Sequence, residues 1–250
     1  MRIEVHILRY GDDWIIPYVV RHYMSYADKL VFHDAGGGRS LERESGIPGV
    51  TVMPWDCPEV SDIRYAELRN GCWKGTDADW VIVADLDEFI FFPEGPSFTL
   101  GAYTRMGAAV IRPHGFEMFS ETYPTGEGQI YDEIKQGAPD DKWYAKPILF
   151  NPKLVSESNL GLGSHESAPV LHDTRRLHVG PKWPFAKPPC WLLHFHHVGP
   201  AEVIAAKFDA THARMCEMNI KMHWGNLDPG WKHVQDKRAG IVPFLSQIIP

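Results

Sequence analysis

Three things are scarce in this sequence: cationic charge, cysteine and long apolar runs. Lys and Arg number 25 against 32 Asp and Glu, a formal net charge of −7. A partner bound by neutralising a phosphate backbone needs a concentrated basic face, so nucleic acid is not an expected ligand. The four cysteines, Cys57, Cys72, Cys190 and Cys216, form no C-x-x-C pair. That spacing excludes a zinc ribbon and a thioredoxin-type motif and reads as free thiols in a reducing compartment. The longest apolar runs, WVIVA and FIFF, fall far short of the roughly 20 residues that cross a bilayer. MRIEVHILRYGDDW shows no basic n-region, apolar h-region or cleavage site, so no signal peptide is expected. The expected location is cytoplasmic, with any membrane contact peripheral at the inner face. Internal repeats and low-complexity tracts are missing as well.

What remains is ordinary globular composition, 44% hydrophobic and 23% charged over 250 residues. Such a chain can bury a full core as one domain without metal or disulfide staples. Ile3 to Leu8 reads as a strand. Asp12 or Asp13 then caps a helix whose apolar face carries Trp14, Ile15, Tyr18, Val19, His22, Tyr23 and Tyr26, with Pro17 tolerated in the first turn. Lys29 to His33 and Val50 to Trp55 read as further strands. Ser61 or Asp62 caps a helix running to Gly75. Trp80 to Ala84 is apolar throughout, as expected of a strand covered on both faces.

Strands alternating with helices through the first ninety residues predict a doubly wound, mostly parallel α/β sheet. Its ligands should bind outside the carboxyl ends of the strands, at the loops after Leu8, His33, Trp55 and Ala84. Beyond this half (1–92), residues 93–220 read as a mixed acceptor-side half. It has a short helix near Thr99 to Met106, a strand near Ala109 to Arg112, a strand WLLHFHHVG and a long helix from Ala201 to Met218. Residues 221–250 read as a loose tail.

Chemistry concentrates in VIVADLDEF. In an extended backbone Asp85 and Asp87 point the same way, because side chains repeat every two residues. Two such carboxylates repel unless they share a proton or a cation, and oxygen ligands suit Mg²⁺ or Mn²⁺. The alternative is that the acids cap a turn and face water. His194 and His196 would share a strand face, and they read as buried, hydrogen-bonded histidines unless one of them joins the acids. An imidazole with two carboxylates would also fit zinc or non-haem iron.

ADWVIVADLDEFIFF resembles the D-x-D-E-F segment of GT-A-fold glycosyltransferases of the family-two and family-92 kind. RYGDDWIIPYVVRHYMSYADKLVFHDAG resembles the start of that family, RYAELRNGCW its helix before the metal strand, KPILFNP its Lys-Pro segment, and WLLHFHHVGPAEVIAAKF its closing His-rich strand and Lys-bearing helix. The likeness spans about residues 2 to 220. It departs from the pattern at Tyr10-Gly11-Asp12 and Ala35-Gly36-Gly37-Gly38, where the family has Asn-Glu and Asn-x-Ser-x-Asp.

The resemblance implies a GT-A fold and transfer of a sugar from a nucleoside diphosphate, a UDP-sugar first, to a hydroxyl of a glycan or other acceptor. It implies Mn²⁺ or Mg²⁺ on Asp85 and Asp87, completed by His194 or His196, and a nucleoside held by Leu8, Arg9 and Asp34. Arg64 and Arg69 would reach a phosphate, or else form a solvated helix face, and Lys146 belongs to the donor side. Inversion needs a base across the cleft. Glu166 is the first choice, with His165 on acceptor or phosphate, and Glu117 and Asp173 are further candidates, although each reads as well as an ordinary loop acid. The run AGGGRS allows close approach of a ligand or is a plain flexible turn. Trp143, Trp183, Trp191 and Trp224 offer faces for sugar stacking or belong to the core. The alternatives in function are a sugar nucleotidyltransferase on the same sheet edge and a non-catalytic binding module.

Overall fold

The computed structural model describes the chain except residues 166, 173–176, 180–189, 225–227 and 250, with 177–179 described by backbone alone. Glu166, Asp173 and Trp183 therefore lie outside the described residues. The first half alternates as β1 (Ile3–Arg9), α1 (Ile16–Met24), β2 (Lys29–Asp34), α2 (Glu42–Ser45), β3 (Val50–Pro54), α3 (Asp62–Gly71) and β4 (Trp80–Asp85), with β5 (Glu88–Phe91) after a two-residue turn. There follow α4 (Pro96–Met106), β6 (Ala108–Ile111), β7 (His114–Ser120), α5 (Ile130–Glu133), β8 (Gln136–Pro139), α6 (Asp141–Tyr144) and β9 (Leu149–Phe150). The rest comprises β10 (Val155–Glu157), β11 (Val170–Leu171), β12 (Leu177–Val179), β13 (Trp191–Val198), α7 (Ala201–Ala213), α8 (Glu217–Met222), α9 (Gly230–Ile241) and β14 (Ser246–Gln247).

The fold is mixed α/β. Seven strands form the first sheet in the order β12-β6-β9-β4-β1-β2-β3. β3, β2, β1 and β4 run parallel, whereas β9 is antiparallel to both β4 and β6. Trp80 to Ala84 is buried along its whole length, matching the apolar run. A second sheet has the order β14-β8-β7-β13-β5. The sheets interleave in sequence, since β5 belongs to the second and β6, β9 and β12 to the first. One contiguous apolar core runs from Ile3 to Ile249.

Four local expectations are corrected. Neither Asp12 nor Asp13 caps α1: the cap is Ile15, with no side-chain bond. Asp13 instead accepts from Arg9 and from the Arg39 backbone N–H. Ser61 does cap α3, but the helix ends at Gly71, before Gly75. The long helix stops at Ala213 because the Arg214 carbonyl and the Cys216 N–H are diverted to Val60, at 2.8 and 3.1 Å. The tail is not loose. The α9 residue Val234 packs with Ile204 and Ala205 of α7, and Gly230 donates to Asp209 at 2.7 Å. A Cβ at Gly230 would collide with the Ala205 carbonyl.

Candidate functional site

A cavity of about 400 Å³ opens where β1, β2, β3 and β4 end, within the size range of small-molecule sites. Leu8, Arg9, Ala35, Trp55 and Asp85 line it from the sheet; Asp87, His194, His196, Lys146 and His165 line it from the other side. These are the loops at which an open parallel sheet binds ligands.

The D-x-D segment is not extended as predicted. Asp85 closes β4, and Leu86 and Asp87 form the turn into β5. Glu88 fastens this turn by accepting the Asp85 N–H at 2.9 Å, and its other oxygen binds the buried Lys146 ammonium. The Phe195 N–H donates to the Asp87 carbonyl at 2.8 Å, which brings Asp87 to the His-rich strand. The two acids thus enter separate networks.

Asp85 faces Arg69, whose Nη2 lies 2.6 Å from its Oδ1. Burial opposes its charge, but Arg69 and Lys146 outweigh burial and lower its pKa. Asp87 Oδ2 lies 2.7 Å from His196 Nδ1 and 3.9 Å from Lys207 Nζ, and Oδ1 lies 3.7 Å from His194 Nε2. Burial again opposes ionisation, yet His194, His196 and Lys207 hold this carboxyl well below the usual range. Two carboxylates that each have protein cations do not need a shared ion to coexist. The set with metal-ligand spacing among the described residues here is Asp87, His194 and His196, whose ligand atoms lie within 4.8 Å of one another. Asp85 is outside this set, although it lines the same cavity.

His194 and His196 face the cavity together, with their rings stacked at 5.3 Å. The pairing of β13 with β7 shifts register between His194 and His197, and so His197 also reaches the cavity wall. His194 Nδ1 lies 3.0 Å from Glu117 Oε1, and the Tyr144 hydroxyl donates to Glu117 Oε2 at 2.6 Å. Glu117 is therefore a buried partner that orients His194, not a base facing an acceptor. A carboxylate behind an imidazole is the usual support of a metal-ligating histidine. Burial lowers the pKa of His194, but Glu117 and Asp87 raise it further, so the net shift is upward. His196 is shifted down, by burial and by Lys207.

The other predicted contacts divide. Arg9 is 1% exposed and bridges Asp13 and Asp34, so its guanidinium is a strut rather than a free ligand group. Asp34 also accepts the Gly36 N–H at 2.9 Å and does not line the cavity. The glycine run serves this packing: a Cβ at Gly38 would strike Asp13 and Arg9, and one at Gly37 the Tyr10 ring. Arg64 does not line the cavity; it donates to the Asp56 carbonyl and lies over Trp55. His165 is in the wall, with Nδ1 2.7 Å from the Trp143 carbonyl, and burial brings its pKa down to about 4. Trp191 packs between Phe91 and Phe116, while Trp143 is exposed beside His165.

Sequence reading did not single out the aromatic end of the cavity. Trp55 and Tyr65 lie with ring centroids 5.2 Å apart, and the Arg214 guanidinium sits 3.1 Å from the Tyr10 centroid. Trp55 follows a strand the sequence did show, and that position was the available signal. Lys207, Phe208, Arg214 and His233 come from helices whose facing depended on tertiary packing. No protein-family model matches the chain, and no curated protein matches it significantly.

Proposed function

We propose that the chain is a GT-A-like, doubly wound glycosyltransferase that moves a sugar from a nucleoside-diphosphate donor, a UDP-sugar first, to the hydroxyl of a glycan or other acceptor. The observation that carries this reading is the meeting of Asp87, His194 and His196 in one cavity at the carboxyl ends of a parallel sheet. One carboxylate with two imidazoles fits Mn²⁺ better than Mg²⁺, which prefers oxygen ligands and retains its waters. Such an ion supplies charge for the leaving diphosphate.

The chain's own groups have distinct tasks in this reading. Glu117 orients His194 for ligation, and Arg69 keeps Asp85 ionised and fixed at the cavity floor. Trp55 and Tyr65, whose rings are tilted by 51° to one another, offer an aromatic face for the base, since aromatic faces stack with any nucleobase. Lys146, held by Glu88, adds positive charge beside Asp85 for the phosphates. His165 is neutral at pH 7, and with Nδ1 bound to a carbonyl its Nε2 is left to accept from a hydroxyl.

The test is release of nucleoside diphosphate from UDP-, GDP- and dTDP-sugars with added Mn²⁺. Release that depends on Mn²⁺ and is lost in Asp87→Asn is expected. Pyrophosphate release from a nucleoside triphosphate instead would identify a nucleotidyltransferase. A second reading has its own support: two histidines and one carboxylate also match non-haem iron and zinc centres. Tight retention of iron or zinc at Asp87, with no response to nucleotide sugars, would favour it.

A further inference from the structure

A second group of ligand-type side chains lies apart from the cavity and shares no residue with it. His6 on β1 and His33 on β2 are buried, with His6 Nδ1 3.0 Å from His33 Nε2 and the rings stacked at 5.3 Å. The parallel register pairs His33 with Leu8, which makes His6 its diagonal neighbour. Cys72, at the end of α3, joins them: one ring nitrogen of each histidine and the Cys72 sulfur lie within 4.8 Å of one another. We infer that His6, His33 and Cys72 form a zinc site that fastens the end of α3 to β1 and β2.

The donor set argues for the ion's class. A thiolate with two imidazoles suits zinc and does not suit Mg²⁺ or Ca²⁺, which take oxygen. Zinc bound to nitrogen at about 2.0 Å and sulfur at about 2.3 Å spaces tetrahedral ligand atoms by about 3.4 Å, so the histidines need to separate only slightly. The far nitrogen of His6 lies 3.2 Å from Glu4 Oε1. That nitrogen is buried and makes no hydrogen bond, so a small rotation of the ring on binding would let it donate to Glu4, the usual support of a ligating histidine. Glu4 is itself steadied by Lys29 at 2.8 Å and Thr76 at 2.6 Å. Zinc binding would release the Cys72 thiol proton to solvent. The thiolate offsets one of the ion's two charges, and Glu4, already paired with Lys29, lies close enough to moderate the other. The site bears on the cavity indirectly, because Arg69, one helical turn before Cys72, holds Asp85.

The experiment uses the Asp87→Asn chain, which removes the cavity's own metal set. After dialysis, elemental analysis should find one equivalent of zinc per chain, and replacement by Co²⁺ should give a thiolate-to-cobalt absorption band. Adding Cys72→Ser should remove both. The unsubstituted chain gives a measurement that needs no variant: zinc should slow alkylation of Cys72, read cysteine by cysteine by mass spectrometry, relative to chelator-treated protein. Equal alkylation of Cys72 with and without zinc would overturn the inference. So would zinc and the cobalt band surviving Cys72→Ser.

Discussion

Asp87 Oδ2 lies 2.7 Å from His196 Nδ1, whereas Asp85, two residues earlier in the chain, turns to Arg69 on a different element. The turn at Leu86 and Asp87 divides what an extended strand would have kept on one face. One acid goes to the histidine wall and the other to α3.

This division makes Arg69 a structural partner with a measurable effect. Arg69→Ala leaves Asp85 without its nearest cation; Arg69 is buried but Asp85 is about one-third exposed, so the loss should cost about 1–3 kcal/mol. Urea denaturation should show that loss. The double variant Arg69→Ala/Asp85→Asn should recover part of it, because no uncompensated carboxylate then remains. Identical stability of the single and double variants would contradict the pairing.

Glu117 sets a pH dependence. Burial opposes its ionisation, but His194, His197 and the Tyr144 hydroxyl prevail and bring its pKa down to about 2, against about 4.3 for a free glutamate. Its folded value lies below its unfolded one. The stability it adds is therefore complete above about pH 4.3 and is lost as the pH falls towards the folded value. Glu117→Gln should destabilise the chain by about 3 kcal/mol at pH 7, and the gap to the parent should narrow at pH 3. Thermal unfolding across that range measures it; a gap that stays constant with pH would exclude this origin.

Much of this arrangement was legible in the sequence, for reasons that can be stated residue by residue. The apolar run Trp80 to Ala84 identified a covered strand, and alternation of strands and helices pointed to the loops after Leu8, His33, Trp55 and Ala84, where the cavity opens. Period two in β13 placed His194 and His196 on one face. Illegible were features set by contacts distant in sequence. Arg9 was assigned to the nucleoside through the resemblance, and its pairing with Asp34, 25 residues on, depends on β1 lying beside β2. The break after Ala213 follows from backbone bonds to Val60, over 150 residues earlier, and no local propensity announces it.

The aromatic end of the cavity gives a prediction of its own. Trp55→Ala should weaken nucleotide binding by about tenfold or more, since stacking on an aromatic ring contributes about 1–3 kcal/mol. Binding of Mn²⁺ alone should be unaffected, because Trp55 is not in the ligand set. Titration calorimetry with UDP and with Mn²⁺ separately checks both halves. Unchanged UDP affinity would remove the base from this wall.

The central claim is that Asp87 joins a divalent ion to a nucleotide sugar, and thermal shift with a panel of UDP-, GDP-, dTDP- and CMP-sugars tests it most directly. The parent chain should be stabilised by a nucleotide sugar, most by a UDP-sugar, and only when Mn²⁺ is present; Asp87→Asn should lose that metal-dependent shift. No stabilisation of the parent by any nucleotide sugar, or a metal-dependent shift retained in full by Asp87→Asn, would contradict it.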